Sequence, residues 1–240
     1  MRQFFIDPSM LQGDTAYVSG DVHHHLARVL RMTTGTVIQL VLLNGERLTG
    51  TIRTISRDLT EVTITQRHPA VHQRACRIHL IQGLPKADHL AMILQKGTEL
   101  GLAQITLVPT STSVMKISAE ALPERMTRWE RICKEAARQS ERDTIPKLTW
   151  LQNLVSLPTQ TDTSVVRLFL WERGEDTRPV REQLEDFAPP QEVQVLVGPE
   201  GGFSPGEYQQ ITKAGFIPLH LGSRIMRTET ASLAITTILQ

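Results

Sequence analysis

The sequence predicts an α/β chain in two parts: a small β domain over residues 1–72 and an α/β domain with a mostly parallel sheet over residues 73–240. Three observations carry this prediction. Short apolar runs broken by polar residues crowd the first 70 residues, the period-2 pattern of half-buried strands. From Arg77 onward, apolar runs alternate with helix-period segments, the order expected of βαβ units covered on both faces. Between the two, His68-Pro69-Ala70-Val71-His72-Gln73 is polar, holds a proline and has no period, which marks a linker.

In the first part, Phe4-Phe5-Ile6 opens the set of strands. A helix is expected over 21–31, with Asp21 as its N-cap. Residues 37–43 are apolar, Asn44-Gly45 is a hairpin signal, and 47–55 alternates through Leu48, Ile52 and Ile55. The alternation returns over 61–66 through Val62 and Ile64. Short strands at this spacing suggest a small β-barrel.

In the second part, buried strands are expected at 78–81, 105–108, 165–171, 193–197 and 217–221. The segment 86–100 puts Leu90, Ile93, Leu94 and Leu100 on one helical stripe, with Gly101 where a C-terminal cap belongs. Residues 123–142 do the same through Met126, Trp129, Ile132, Cys133, Ala136 and Ala137. Further helices are expected at 178–187, 206–214 and 228–239.

Composition narrows the class. Apolar residues make up 40% of the chain and charged residues 21%, enough for a real core and unlike a disordered chain. No run approaches the ~18 apolar residues of a membrane span, and MRQFFIDPSM is not a secretory signal. Cys76 and Cys133 stand far apart and make neither a disulfide framework nor a zinc site. A reduced, cytoplasmic, soluble protein is the expectation. Net charge is only +1, yet it is unevenly spread. There are seven basic and six acidic side chains in 1–72, twelve and eight in 73–150, and seven and eleven in 151–240. All seven in the first part are arginines, whose planar fork suits phosphate. A polyanionic partner fits that bias.

Two loops concentrate the chemistry. Val197-Gly198-Pro199-Glu200-Gly201-Gly202-Phe203-Ser204-Pro205-Gly206-Glu207 follows an apolar strand and precedes a helix that Ser204 can cap. Ligands of open α/β sheets sit at such strand ends. The loop is neither G-x-G-x-x-G nor a triphosphate loop, so neither a dinucleotide nor a triphosphate is supported. Leu221-Gly222-Ser223-Arg224-Ile225-Met226-Arg227-Thr228-Glu229-Thr230-Ala231 follows another strand, with Thr228 as the expected cap of the last helix. A third feature is the basic face of 123–142: Arg125, Arg128, Arg131, Lys134, Arg138 and Arg142. Part of it is neutralised by Glu124 and Glu130 at i,i+4 spacing, so a solvated face fits as well as an RNA-binding one. The run His23-His24-His25 points in different directions on a helix, so no metal is expected. Zinc-protease and dithiol signatures are absent.

These residues carry a resemblance that spans essentially the whole chain. It rests on His25-Leu26-Ala27-Arg28-Val29-Leu30-Arg31-Met32, Lys96-Gly97-Thr98-Glu99-Leu100-Gly101, Arg128-Trp129, Glu135-Ala136-Ala137-Arg138-Gln139-Ser140, and the two loops at 198–203 and 221–231. On these, the sequence resembles the SPOUT-class bacterial methyltransferases that modify uridine N3 in small-subunit (16S) ribosomal RNA. Two positions depart from that family's pattern: Gly97 replaces its usual alanine and Glu141 its usual glycine.

The resemblance implies a PUA-like barrel, a deep trefoil knot in the α/β domain, S-adenosylmethionine (SAM) bound within the knot, and a homodimer. Carried over by position, the SAM site comprises Leu170, Leu196, Gly198, Pro199, Glu200, Gly201, Gly202, Leu221, Gly222, Ile225, Met226 and Thr230. Uracil N3 must lose a proton, so the uracil passes through an anion that needs a cation or donors nearby. Arg227 is the candidate for that charge, with Glu229 as base or positioning group. Arg2, Arg28, Arg31, Arg138 and Arg142 are the expected RNA contacts. No metal and no membrane partner is expected. Two alternatives stay open: a catalytically silent RNA-binding or ribosome assembly factor on the same fold, and a methyltransferase acting at another RNA position.

Overall fold

The computed structural model describes residues 3–69, 76–159, 164–172, 177–185 and 192–240. The chain forms two compact units, 1–73 with 137–145, and 74–136 with 146–240. The segment 137–145, which the sequence pattern groups with the second part, therefore falls in the first unit.

The first unit is built on strands β1 (Gln3–Ile6), β2 (Leu11–Gln12), β3 (Thr15–Val18), β4 (Val37–Leu42), β5 (Arg47–Ile55) and β6 (Thr60–His68). They form one mixed sheet in the order β1-β4-β5-β6-β3-β2, with β1 parallel to β4 and the other pairs antiparallel. One face carries Phe4, Ile6, Ile38, Leu40, Leu42, Leu48, Ile52, Val62 and Ile64 into a core with Leu26. The opposite face of β1 and β4 is buried too, because Phe5 and Val41 pack with Ala137 and Ile145. That is why β4 ends in three consecutive buried apolar residues, Leu40, Val41 and Leu42, while β5 and β6 alternate.

The expected helix over 21–31 takes a different form. Helix α1 (Gly20–His24) has Ser19 at its N-cap position, and Asp21 lies in its first turn. The chain then widens into a π turn over His25–Val29, in which the Leu30 amide donates to the His25 carbonyl.

The second unit holds seven strands: β7 (Arg77–Gly83), β8 (Gln104–Val108), β9 (Lys147–Trp150), β10 (Val165–Leu170), β11 (Arg178–Pro179), β12 (Glu192–Val197) and β13 (Ile217–His220). Their order is β11-β13-β10-β12-β7-β8-β9, and every pairing among the described residues is parallel. Helices α2 (Ala87–Glu99), α3 (Leu122–Gln139), α4 (Val180–Glu185), α5 (Pro205–Lys213) and α6 (Thr228–Ile238) intervene. The helix expected from 178 begins two residues later, because Arg178 and Pro179 first pair with Leu219 and His220. Strands β9 and β11 have no counterpart among the expected elements.

Helices α2, α3 and α5 end alike. After α2, the Gly101 amide donates to Thr98 O and the Leu102 amide to Gly97 O, with Gly101 at φ +93°. After α5, Gly215 and Phe216 repeat this on Thr212 and Ile211, with Gly215 at φ +90°. Both are Schellman closures with glycine in the left-handed position. After α3 the same bonds run from Glu141 to Arg138 O and from Arg142 to Ala137 O, yet the left-handed residue is Glu141, at φ +55°.

Candidate active site

The chain follows β10 with β12 on one side and β13 on the other. Such a reversal opens a crevice beyond the carboxyl ends of the strands. Leu170 stands opposite Leu219, and Val197 opposite Gln82, so β10, β13, β12 and β7 end along one edge. Both loops singled out in the sequence start there: 198–203 after β12 and 221–227 after β13.

The first loop is packed tightly against its own surroundings. The Gly202 amide closes a turn on Pro199 O, and Gly202 sits at φ +67°, where only glycine is unstrained. A Cβ on Gly83 would stand 2.6 Å from Pro199 Cδ, and one on Gly201 would stand 2.8 Å from Thr112 Cβ. Thr112 Oγ1 also donates to Gly202 O at 2.6 Å. These glycines are thus required by the protein's own packing.

The loop leads into α5 through a capping box in which Ser204 and Glu207 satisfy each other's backbone amides. Ser111 adds its amide and hydroxyl to the Glu207 carboxylate. Burial alone would raise the Glu207 carboxyl, but these donors together hold it below its ordinary value. Gly202-Phe203-Ser204-Pro205-Gly206 has the G-x-S-x-G spacing of a hydrolase nucleophile. The Ser204 hydroxyl donates to the Glu207 carboxylate and accepts from its amide, so it serves as a helix cap.

One buried glutamine, unremarkable in the sequence, joins the two loops. Gln82 Nε2 donates to Thr228 Oγ1 at 3.0 Å and to Gly83 O at 2.9 Å, and lies 3.3 Å from Val197 O and Gly198 O. Its Oε1 accepts from Ser232 Oγ at 2.6 Å, and Thr228 Oγ1 donates to Gly198 O at 2.6 Å. The start of α6 is therefore bonded to the start of the glycine loop. Thr228 is not the cap of α6, as expected from sequence; Arg227 occupies that position and the Thr228 hydroxyl is committed to Gly198.

Glu200 turns away from its own loop toward α2. Its Oε1 accepts from the Lys86 amide at 3.0 Å and from His89 Nδ1 at 2.6 Å. Burial works to raise this carboxyl, and the Lys86 and Glu200 amides with the His89 ring together pull it below its ordinary value. Glu229 is 8% exposed, and its Oε2 has no hydrogen-bond partner among the described residues. The nearest charged partner recorded for it is His89 Nδ1, at 3.8 Å.

The other sequence candidates divide by environment. Leu196 is fully buried in the core with Ile81 and Phe169, so only its backbone edge faces the strand end. Leu170 is buried, Leu221 and Met226 are half-buried, and Gly222, Arg227 and Thr230 are exposed. Ile225 is 77% exposed, uncommon for an isoleucine without a partner surface. Trp171, just past β10, packs on Tyr208 with ring centroids 5.0 Å apart, an aromatic neighbour the sequence did not single out.

In the first unit, Arg28 and Arg31 are exposed on and just after the π turn. Arg138 Nη1 meets His25 Nε2 at 2.5 Å, which brings it beside the same turn. Arg142 Nη2 donates to Thr144 Oγ1, and its carbonyl accepts from Gln3. Arg2 lies outside the described residues. His23 is buried, bonded to Thr60 Oγ1 and Arg57 O, which gives it a structural role. No group of three or more potential metal ligands converges among the described residues, and no helix is long and apolar enough to cross a membrane.

The chain is similar to known proteins in sequence and in fold. Ribosomal RNA small subunit methyltransferase E of Bacillus subtilis is 28% identical over 97% of this chain and 93% of its own length. The structure of a Neisseria gonorrhoeae ribosomal RNA small subunit methyltransferase E, bound to S-adenosyl methionine, superposes with a TM-score of 0.86 at 27% identity, covering 100% of this chain and 97% of that one. A Legionella pneumophila protein described as a methyltransferase and solved with SAM gives 0.87 at 28% identity, covering 99% and 96%. The family model for the RNA methyltransferase domain matches residues 72–240, and the chain belongs to that family.

Proposed function

We propose that this protein transfers a methyl group from SAM to N3 of a uridine in small-subunit (16S) ribosomal RNA. The observation that carries this reading is the pair of loops at 198–203 and 221–227, bonded to each other through Gln82 and Thr228 at the ends of parallel strands. Relatives named as small-subunit rRNA methyltransferases, and two similar solved structures that hold SAM, support it.

The residues present fit a SAM molecule. Backbone groups of Gly198, Pro199, Glu200, Gly201, Gly202, Leu221 and Gly222 offer donors and acceptors for an adenine edge, while Leu170, Ile225 and Met226 offer apolar walls. Thr230 adds an exposed hydroxyl, and Leu196 backs the strand end from the core. SAM supplies a methyl carbon on a sulfonium, whose sulfur leaves as a neutral thioether.

The chain's own residues must orient the uracil and take care of its charge. N3 gives up its proton and attacks through the electron pair left behind. Arg227, exposed at the entrance to α6, stabilises the negative charge that spreads to the carbonyl oxygens. Glu229, with a buried oxygen that has no hydrogen-bond partner among the described residues, accepts the proton or fixes the base. N3 lies on the pairing edge, so the uridine must be unpaired or extruded to react.

We take the first unit as a PUA-like barrel that grips RNA backbone through Arg2, Arg28 and Arg31, aided by Arg138 and Arg142, and the second as a SPOUT domain with a trefoil knot. A homodimer in the cytoplasm completes the reading. The test is incubation with methyl-labelled SAM and unmodified small subunits, followed by digestion to nucleosides. Label in N3-methyluridine is the expected result. Label in another nucleoside moves the target, and absence of SAM binding favours a silent RNA-binding factor.

A further inference from the structure

We propose that His89 is a positioning residue for the cofactor loop: its ring, set between the carboxylates of Glu200 and Glu229, holds loop 198–203 and the start of α6 in their binding arrangement. This rests on the SAM-binding reading above and extends it to a residue on α2 outside both loops.

The geometry is specific. His89 Nδ1 lies 2.6 Å from Glu200 Oε1 and 3.8 Å from Glu229 Oε2. His89 Nε2 lies 3.9 Å from Asp88 Oδ2. Two carboxylates thus converge on one ring nitrogen, Glu200 within hydrogen-bond reach and Glu229 at ion-pair distance. Among the described residues, the ion pairs of Glu200 and of Glu229 are all with His89. Lys86, at the N-cap position of α2, contributes its backbone amide to Glu200, and the positive end of the α2 dipole favours the carboxylate there. None of these groups reaches Glu229.

The three side chains sit on three different elements: Glu200 on the loop after β12, His89 on α2, Glu229 on α6. Glu200 is the one charged residue of the loop, flanked by Pro199 and Gly201. Anchoring it to α2 fixes the direction in which the loop presents its backbone. The side chain of Glu229 is 10% exposed, against 21% for His89 and 25% for Glu200. The ring thus spans from solvent toward the buried carboxylate. The ring thereby ties the loop and α6 to α2, while Glu229 Oε2 stays without a hydrogen-bond partner among the described residues.

The experiment measures SAM affinity by calorimetry on the full chain for wild type, His89→Ala and His89→Arg. Wild type binds SAM. His89→Ala weakens binding by about tenfold, the scale of one charge-assisted hydrogen bond at a partly exposed site. His89→Arg, whose guanidinium can donate to both carboxylates with a different shape, stays within about threefold of wild type, a recovery that a purely structural role for the ring does not produce. Wild-type affinity in His89→Ala overturns the proposal, and so does His89→Arg binding as weakly as His89→Ala. If His89→Ala fails to fold, His89→Leu takes its place, with the same expected tenfold loss and the same refuting result. No SAM binding by wild type overturns the underlying reading, and with it this one.

Discussion

Replacing Gln82 by leucine roughly keeps the side-chain volume and removes every polar bond that the glutamine makes to the two loops. Gln82 is fully buried, so no water replaces what is lost. Ser232 Oγ loses the acceptor it now meets at 2.6 Å, and a buried hydroxyl left unpaired costs about 1–3 kcal/mol. The donor bonds to Thr228 and Gly83 add about 0.5–1.5 kcal/mol each. Thr228 keeps its bond to Gly198 O, which limits the damage. The sum is about 3 kcal/mol, and for a protein of this size it lowers Tm by roughly 6–12 °C. Equilibrium urea unfolding of Gln82→Leu, Ser232→Ala and the double variant gives the cycle. Ser232→Ala alone strands Gln82 Oε1, while the double variant strands neither group, so the two changes together should cost about 1–2 kcal/mol less than their separate costs. A Gln82→Leu protein within about 1 kcal/mol of wild type, or a strictly additive cycle, refutes the assignment of Gln82 as the tie between loops.

Other outcomes follow from particular residues. Arg227→Ala is expected to bind SAM as wild type does and to lose methylation by about 100-fold or more, the usual cost of removing one charge-stabilising donor; near-normal turnover removes Arg227 from the chemistry. Glu141→Gly relieves a left-handed residue at about 1–2 kcal/mol and gives back part of that in unfolded-chain entropy, so a net gain of about 0.5 kcal/mol is expected in denaturant unfolding, and a loss would show that Glu141 holds the turn by its side chain. His79 is held down to about 4 chiefly by burial, with Arg167 and Lys147 adding to the effect and Glu192 opposing it. A depressed histidine favours the fold above the unfolded value of 6.5, and that contribution is lost as pH falls toward 4. Stability should therefore drop by up to about 3 kcal/mol across that window. His79→Gln, which can keep the bond to Thr106 Oγ1, should flatten this part of the pH profile, and an unchanged profile assigns the acid sensitivity elsewhere.

The two loops are legible in the sequence because glycine and proline report backbone geometry directly. Ser204 and Glu207 form the expected capping box, since that motif is wholly local. Gln82 escapes notice for the opposite reason: a glutamine at the end of an apolar strand looks like any strand end, and its partners Thr228 and Ser232 lie 146 and 150 residues away. His89 is hidden likewise, because Glu200 and Glu229 reach α2 only through the fold. Thr228 illustrates competition, as its hydroxyl serves Gly198 instead of capping α6. The stripe over 123–142 predicts a long helix correctly, but a 3.6-residue period does not tell which compact unit each turn joins. The apolar face of β4 toward Ala137 is the visible trace of that association.

The first unit is discontinuous in the chain, and this bears on how it is made. Its strands are complete by residue 68, yet Ala137, Asp143 and Ile145 come only after β7, α2, β8 and most of α3 have been synthesised. Translation at ~5–20 residues per second leaves the nascent sheet waiting several seconds for them. During that interval Phe5 and Val41 lack their apolar cover, and Arg47 lacks the Asp143 carboxylate it later pairs with. A fragment cut at residue 73 is the permanent form of that nascent state. It should bind a hydrophobic dye and a holdase chaperone, and adding residues 137–145 as a peptide should reduce both.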